Sequence, residues 1–566
     1  MITKNIKKIA AFSVGCAFGA ALSSCSDDWN DHYDASTVDN GTLWQAIKSQ
    51  SELSNFAHVV EACGYDQILD GSQTFTVFAP TNSSFTSSQA DSLIERWRAE
   101  GGGLKGRSND NTVVRQFLQN HIALYKYPVS SLTNDSITLM NDKYQVLTAT
   151  TLGTRRLLST NALYNNGLLF TLDGPVDYFP NVFEYLGHDA ELDSVYRFLN
   201  SYTVYEFNDA KSVPGEIVDG QTVYLDSVSD LRNILFEQYG LINSEDSTYW
   251  LLCPTNSEWS RLVERYEPYF RYAKNVAKRD SMAYANTRMA IIGGAFFSKT
   301  RNPDVAFQDS AVSTLHQPSI LNSSTPDYPY YTYYRPFDEG GIFHATSDIV
   351  CSNGHVRKAS QWHLSPFHTF AQTIKVEAEN LQSVDTIYVS QSDAEKIDIN
   401  EALTIREVTT TNPFYGKVSG NAFAEIKPDP ITAQLAVGIS VPNVLSDIAY
   451  DIYAVFVPAT AYDTLAVADT AKPSIVRSYL NYKDENGHTY TRRINGNKTT
   501  NPAAVDTVLM VSNYQFPTCC YGLQDAKVRF DVQSNITARQ TSTHSSTLRI
   551  DCIIFRPSEL GDIHEH

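Results

Sequence analysis

Apolar and polar positions follow two regimes along this 566-residue chain. Up to about His368, apolar residues recur at helical spacing. LWQAIKSQSELSNFAHVVEACGY and NVFEYLGHDAELDSVYRFLNSY are the clearest cases, and both predict amphipathic helices. Between such runs stands Thr74–Ala79, rich in β-formers and apolar on both faces, which predicts a strand covered on both sides. Pro80 cannot donate to a ladder and ends it. Thr81, Asn82 and Ser83 offer oxygens to cap a following helix, with Phe85 as that helix's first anchor on the core. Tyr249–Trp259, YWLLCPTNSEW, repeats this grammar, and Pro80 and Pro254 lie 174 residues apart. A period that long predicts two copies of a whole domain. Beyond His368 the helical period fades into short β runs: TIKVEAENL, DTIYVS, QLAVGISV, YDIYAVFVP, TVLMVSNY, AKVRFDVQS and TLRIDCIIFRP. These predict an all-β sandwich or jelly roll.

Two further echoes fix the register of the repeat. Glu52-Leu53-Ser54 answers Glu191-Leu192-Asp193, and Asn166-Gly167 before Pro180 answers Asn353-Gly354 before Pro366. Asn-Gly is a tight-turn signal ahead of a strand. FAPTNSSF, FLQNHIALYKY (Phe117–Tyr127) and YNNGLLFTLDGPV (Tyr164–Val176) together resemble the fasciclin domain. The second copy keeps the first and last motifs, but its middle stretch RMAIIGGAFFSK has no histidine, so it is divergent. The resemblance implies an α+β fold, with helices wrapped on a β-sandwich-like core, and a binding or adhesion role. It also places His121 and Tyr125 in the region of the family's adhesion motif. The ordinary role of a lone histidine in an apolar helix, here Phe117–Leu124, is a satisfied core group.

The expected organisation is therefore multidomain, two α+β fasciclin-like domains followed by an all-β sandwich. Residues 1–24 read as a signal peptide, 25–41 as a tether, 42–180 as the first fasciclin-like domain, 181–366 as the second with insertions, and 367–560 as the sandwich. The leader has a basic start at Lys4, Lys7 and Lys8 and a short apolar stretch from Ile9 to Ala21. Leu22-Ser23-Ser24-Cys25 resembles a bacterial lipoprotein signal, which makes Cys25 the lipidated residue. Ser26-Asp27-Asp28 resembles the acidic surface-export tag of Bacteroidota lipoproteins. The expected address is the outer membrane, held by lipid and facing the cell exterior.

Net charge is −19, and cleavage of the leader would remove three lysines and no acid. Such a field opposes nucleic-acid binding and adsorption to anionic membranes. The cysteines show no C-x-x-C pair, which speaks against zinc. Disulfides are allowed outside the cytoplasm, but Cys63 and Cys253 sit in apolar surroundings and read as buried thiols. The chain has no G-x-S-x-G elbow, P-loop, dinucleotide fingerprint or H-E-x-x-H helix, so no enzyme and no cofactor is expected.

Candidate contact residues are aromatic. PDYPYYTYYRPF (Pro326–Phe337) reads as a Pro-stiffened loop presenting Tyr330, Tyr331, Tyr333 and Tyr334. Trp362, Phe414 and Tyr415 are candidates for a flat sugar-binding platform. IKVEAENL and LRIDCIIFRP resemble the first and last strands of jelly-roll carbohydrate-binding modules. There, glutamates of the first strand hold a structural calcium, by position Glu377 and Glu379 here. Two readings follow. One is a non-enzymatic surface adhesion or binding protein that meets other surface proteins, for instance as an accessory subunit of a SusC/SusD-type uptake complex with its transporter. The other is a glycan-capture protein acting through the sandwich.

Overall fold

The structure, a computed structural model, describes residues 40–561 apart from 104–110, 211, 219–220, 299–309, 317–329, 390–394, 430–433, 463–470 and 525–526. Cys25 and the tether before residue 40 lie outside the described residues. The described chain divides into two compact units, 40–176 with 212–226, and 177–210 with 227–561.

In the first unit the strand Phe75–Pro80 is buried along its whole length. It runs parallel to Gly167–Leu172, from Phe75 opposite Gly167 to Pro80 opposite Leu172, and antiparallel to Ile122–Ala123. This pair lies inside a seven-stranded sheet. Helices Leu43–Ser49, Ser54–Ala62 and Tyr65–Asp70 pack on it through Leu43, Ile47, Phe56, Val60 and Leu69. The expected helix cap needs correcting. Helix Ser87–Ala99 starts later and is capped by Thr86, whose side chain accepts from Gln89 N. Asn82 is instead drawn backwards. Its amide donates to Ser51 O at 2.9 Å, its Oδ1 accepts from Asn55 N at 3.1 Å, and its own N–H donates to Glu52 O at 2.8 Å. The orphan N–H groups of the preceding helix were the stronger demand on that side chain.

In the second unit the strand Tyr249–Pro254 runs parallel to Gly354–Ala359, from Tyr249 opposite Gly354 to Pro254 opposite Ala359. Asn256 repeats the contacts of Asn82: it donates to Ala190 O at 2.8 Å, accepts from Ser194 N at 2.9 Å, and its N–H reaches Glu191 O at 2.8 Å. Here Thr255 does cap the following helix, Asn256–Tyr266. The two Asn-Gly turns match as closely. Asn166 accepts from Leu43 N at 2.8 Å and donates to Leu69 O and Gly71 O. Asn353 accepts from Val182 N at 2.8 Å and donates to Ile242 O and Ser244 O. A side chain on Gly167 or Gly354 would drive into the carbonyl of Phe75 or Tyr249, so both turns demand glycine.

The β-rich remainder forms two antiparallel sheets, and the boundary expected near residue 366 does not separate bodies. One core runs without a break from Val182 to Phe555. Tyr272 donates to Tyr521 O at 2.7 Å, Ser446 Oγ to Pro268 O at 2.8 Å, and Cys519 N to Arg271 O at 2.8 Å across that boundary. The 181–366 stretch also divides between the two units. The hairpin Val213–Val218 with Gln221–Asp226 belongs to the first unit, where Val213 joins the core.

Candidate functional site

The clearest concentration of chemistry is where the first and last strands of the β region meet. Ile374–Glu377 pairs antiparallel with Leu548–Pro557, and Glu377 lies opposite Cys552. Asp551 is 2% exposed. Its Oδ2 accepts from Ser419 N at 3.1 Å. Lys375 Nζ lies 2.9 Å from Glu377 Oε1, and Ser419 Oγ bridges them, accepting from Lys375 and donating to Glu377. Ligand atoms of Glu377, Asp551 and Cys552 all lie within 4.8 Å of one another.

Three carboxylate oxygens here are buried without a partner: Glu377 Oε2, Glu379 Oε2 and Asp551 Oδ1. An unpaired buried carboxylate oxygen costs several kcal/mol by order of magnitude, so something must offset it. Burial, with Glu377 alongside, pushes the Glu379 carboxyl up to about 7. Burial and the same neighbours push Asp551 well above the carboxylate range, and burial raises the Cys552 thiol. Burial opposes the charge of Lys375, but its bond to Glu377 raises it overall. One ammonium therefore serves three carboxyl groups. The orphaned oxygens are hard donors in a dry place, which fits a hard divalent cation such as calcium. A neutral thiol is a poor ligand for calcium, so Cys552 packs beside the site. Sequence pattern had pointed to Glu377 and Glu379 but missed Asp551, Lys375 and Ser419. The available signal was the single acid inside the apolar closing strand LRIDCIIFRP.

The aromatic candidates scatter. His121 is fully buried against Phe56 and Phe117, with ring centroids 5.9 and 4.6 Å away. Its Nδ1 donates to Phe117 O at 2.6 Å and its Nε2 accepts from Val176 N at 2.9 Å. Burial holds its pKa down to about 4, so it is neutral and cannot touch a partner. It also sits in the short wound segment Val114–His121, before a strand, so the expected helix to Leu124 ends early. Tyr125 is 68% exposed, with its carbonyl held by Thr76 at 2.6 Å. The Pro-stiffened loop is in part a strand, Tyr330–Tyr334, paired with Ser310–His316. Alternation turns Tyr331 and Tyr333 inward, Tyr331 stacking on His368 at 4.0 Å, and leaves Tyr334 79% exposed. The Tyr330 side chain lies outside what is described. Trp362 lines a cleft against helix Asn256–Tyr266, while Phe414 packs with Val418, Phe423 and Val457 and Tyr415 is exposed. These three form no common platform.

The cysteines of the described residues are free thiols. No described helix is long and apolar enough to cross a membrane.

Residues 51–176 match the Fasciclin domain. Human (Homo sapiens) Stabilin-1 is 36% identical over 80 residues, which is 14% of this chain and 3% of that protein's length. Among solved structures, the FAS1 domain pair of the insect cell adhesion molecule Fasciclin I aligns over 56% of this chain and 97% of its own, with 13% identity and a TM-score of 0.19. The CBM22-1 xylan-binding domain of Paenibacillus barcinonensis Xyn10C aligns over 33% of this chain and 93% of its own, with 12% identity and a TM-score of 0.19.

Proposed function

We propose that this chain is a non-enzymatic binding protein of the cell surface, with a fasciclin domain at residues 51–176 as its adhesive body. The carrying observation is that domain match, and the repeated corner extends it. The asparagine contacts of Asn82 and Asn166 recur at Asn256 and Asn353, which supports a second, divergent fasciclin-like domain built on 181–366. Anchoring is by lipid on Cys25 in the outer membrane. The setting is an accessory subunit of a SusC/SusD-type nutrient-uptake complex. Tethering raises local concentration, so weak contacts suffice. Pull-down from detergent-solubilised outer membrane tests this. Recovery of a transporter barrel supports it, and recovery of the bait alone refutes it.

Within the β region, Glu377, Glu379 and Asp551 would hold a calcium ion. The ion would supply charge neutralisation and tie the first strand to the last, a structural role. Resistance of the cation-free and cation-loaded protein to proteolysis at this seam tests it.

A second reading, glycan capture by the β region, is favoured by one specific observation. On the strand Val528–Ser534, Val528, Phe530 and Val532 face the core, so Arg529, Asp531 and Gln533 face away. Yet Asp531 is buried there, holding Tyr388 OH at 2.7 Å, Asn481 Nδ2 at 2.8 Å and Arg529 Nε at 2.7 Å. A sunken, preorganised polar face suits sugar hydroxyls. Retention on a polysaccharide column that Tyr388→Phe weakens supports this reading, and passage of the wild type unretarded ends it.

A further inference from the structure

The helix that follows the second corner carries a cleft that neither reading uses. Its lining is Glu258, Arg261, Leu262, Arg265, Gln361 and Trp362, and its volume is about 330 Å³. That is at the small end of ligand sites, enough for one or two rings. Glu258 is 5% exposed and pairs with Arg261. Arg261 also donates to Ser360 O at 3.3 Å, which fixes its guanidinium. Arg265 stands one helical turn further on. Its guanidinium lies 5.8 Å from the centre of the Tyr266 ring, and it has no carboxylate partner among the described residues.

The cleft thus holds two guanidiniums against one carboxylate, on a chain whose net charge is −19. A positive spot on an acidic protein focuses small anions. Arg presents a planar fork that matches a carboxylate with two hydrogen bonds. Trp362 adds the second requirement. Its half-buried indole lines the cleft, so what it offers there is ring surface. Gln361 supplies an exposed amide at the rim, and the Ser360 carbonyl an acceptor. Flat apolar surface, a planar acceptor and an amide are what a pyranose ring with in-plane hydroxyls needs. A bare phosphate would use the arginines and leave the indole idle.

We propose that this cleft binds a carboxylated pyranose, a hexuronate unit of an acidic saccharide, with Arg265 on the carboxylate and Trp362 against the ring. The site is separate from the sunken sheet face and does not depend on the glycan reading of that face.

The test is a calorimetric titration of the full chain with digalacturonate, its dimethyl ester and inorganic phosphate. The expected result is binding of the free acid and at least tenfold weaker binding of the ester. Arg265→Gln should weaken the acid at least tenfold with an unchanged melting profile, and Trp362→Ala should weaken it further. If Trp362→Ala does not fold, Arg265→Gln decides, because its side chain is exposed. Equal binding of acid and ester overturns the proposal, and so does wild-type affinity in Arg265→Gln. Displacement of the sugar acid by equimolar phosphate overturns it as well, reducing the cleft to an anion hole. Tyr388→Phe should leave this titration unchanged, which separates its failure from failure of the sheet-face reading.

Discussion

Calcium at the strand seam gives the sharpest test, because the cation-free site has a calculable liability. The rise of the Glu379 carboxyl from 4.5 to about 7 would amount to ~3 kcal/mol if fully buried. The group is half-buried, so solvent screening reduces this to about 1–2 kcal/mol. The sign follows from proton binding. The folded state holds a proton on Glu379 that the unfolded state releases above about 4.5. Stability of the cation-free protein is therefore full below that pH and is lost as pH rises through about 7. Asp551 is displaced in the same direction and adds to the loss. A cation present at about 100 times its dissociation constant adds ~2.7 kcal/mol. For a unit this large that is a rise of roughly 5 °C in melting temperature. The assay is differential scanning calorimetry at pH 8, with chelator and then with millimolar calcium. The transition of the second unit should rise by roughly that amount while the first unit's stays fixed. Asp551→Asn should abolish the response and leave the cation-free protein as stable as wild type or more so. An unmoved second transition, or a full calcium response in Asp551→Asn, refutes the reasoning.

Other expectations concern the scaffold. His121 is neutral when buried and ionises when exposed, so the first unit should lose up to ~3 kcal/mol as pH falls from 6.5 to about 4, read by urea denaturation at the two pH values. Asn82→Ala and Asn256→Ala each delete side-chain hydrogen bonds that hold a neighbouring helix and should cost about 2–4 kcal/mol. Calorimetry should show the first variant shifting only the first unit and the second only the second. Gly354→Ala should cost about 3 kcal/mol or more, because its Cβ meets backbone that cannot rotate away. Soluble yield and melting of that variant check it.

Local chemistry was legible and side-chain loyalty was not. The buried strand Phe75–Pro80, the break at Pro80 and the Asn-Gly turns follow from residue type alone. The direction in which Asn82 bonds does not, because an amide beside two helices can serve either one. Thr86 with Gln89 is a capping box plain in the sequence, but the nearer Pro-Thr-Asn-Ser offers capping oxygens of the same kind. His121 is buried, as a histidine in an apolar run ordinarily is, though its segment ends sooner than that run. Asp551 was missed because one acid in an apolar strand says nothing about the strand it will face. The core common to the 181–366 region and the β sheets was illegible for the same reason. Periodicity reports that a face is apolar, never what covers it.

Strand Leu548–Pro557 is made after every other described strand, yet it lies in the middle of its sheet, between Ala422–Ile426 and Ala449–Phe456. Until it emerges from the ribosome, those partners have an open slot between them and the carboxylates of the opening strand have no opposite wall. That sheet can therefore close only once this strand is made, as a late and cooperative event. Closing that slot joins both neighbours and walls in the carboxylates in a single step.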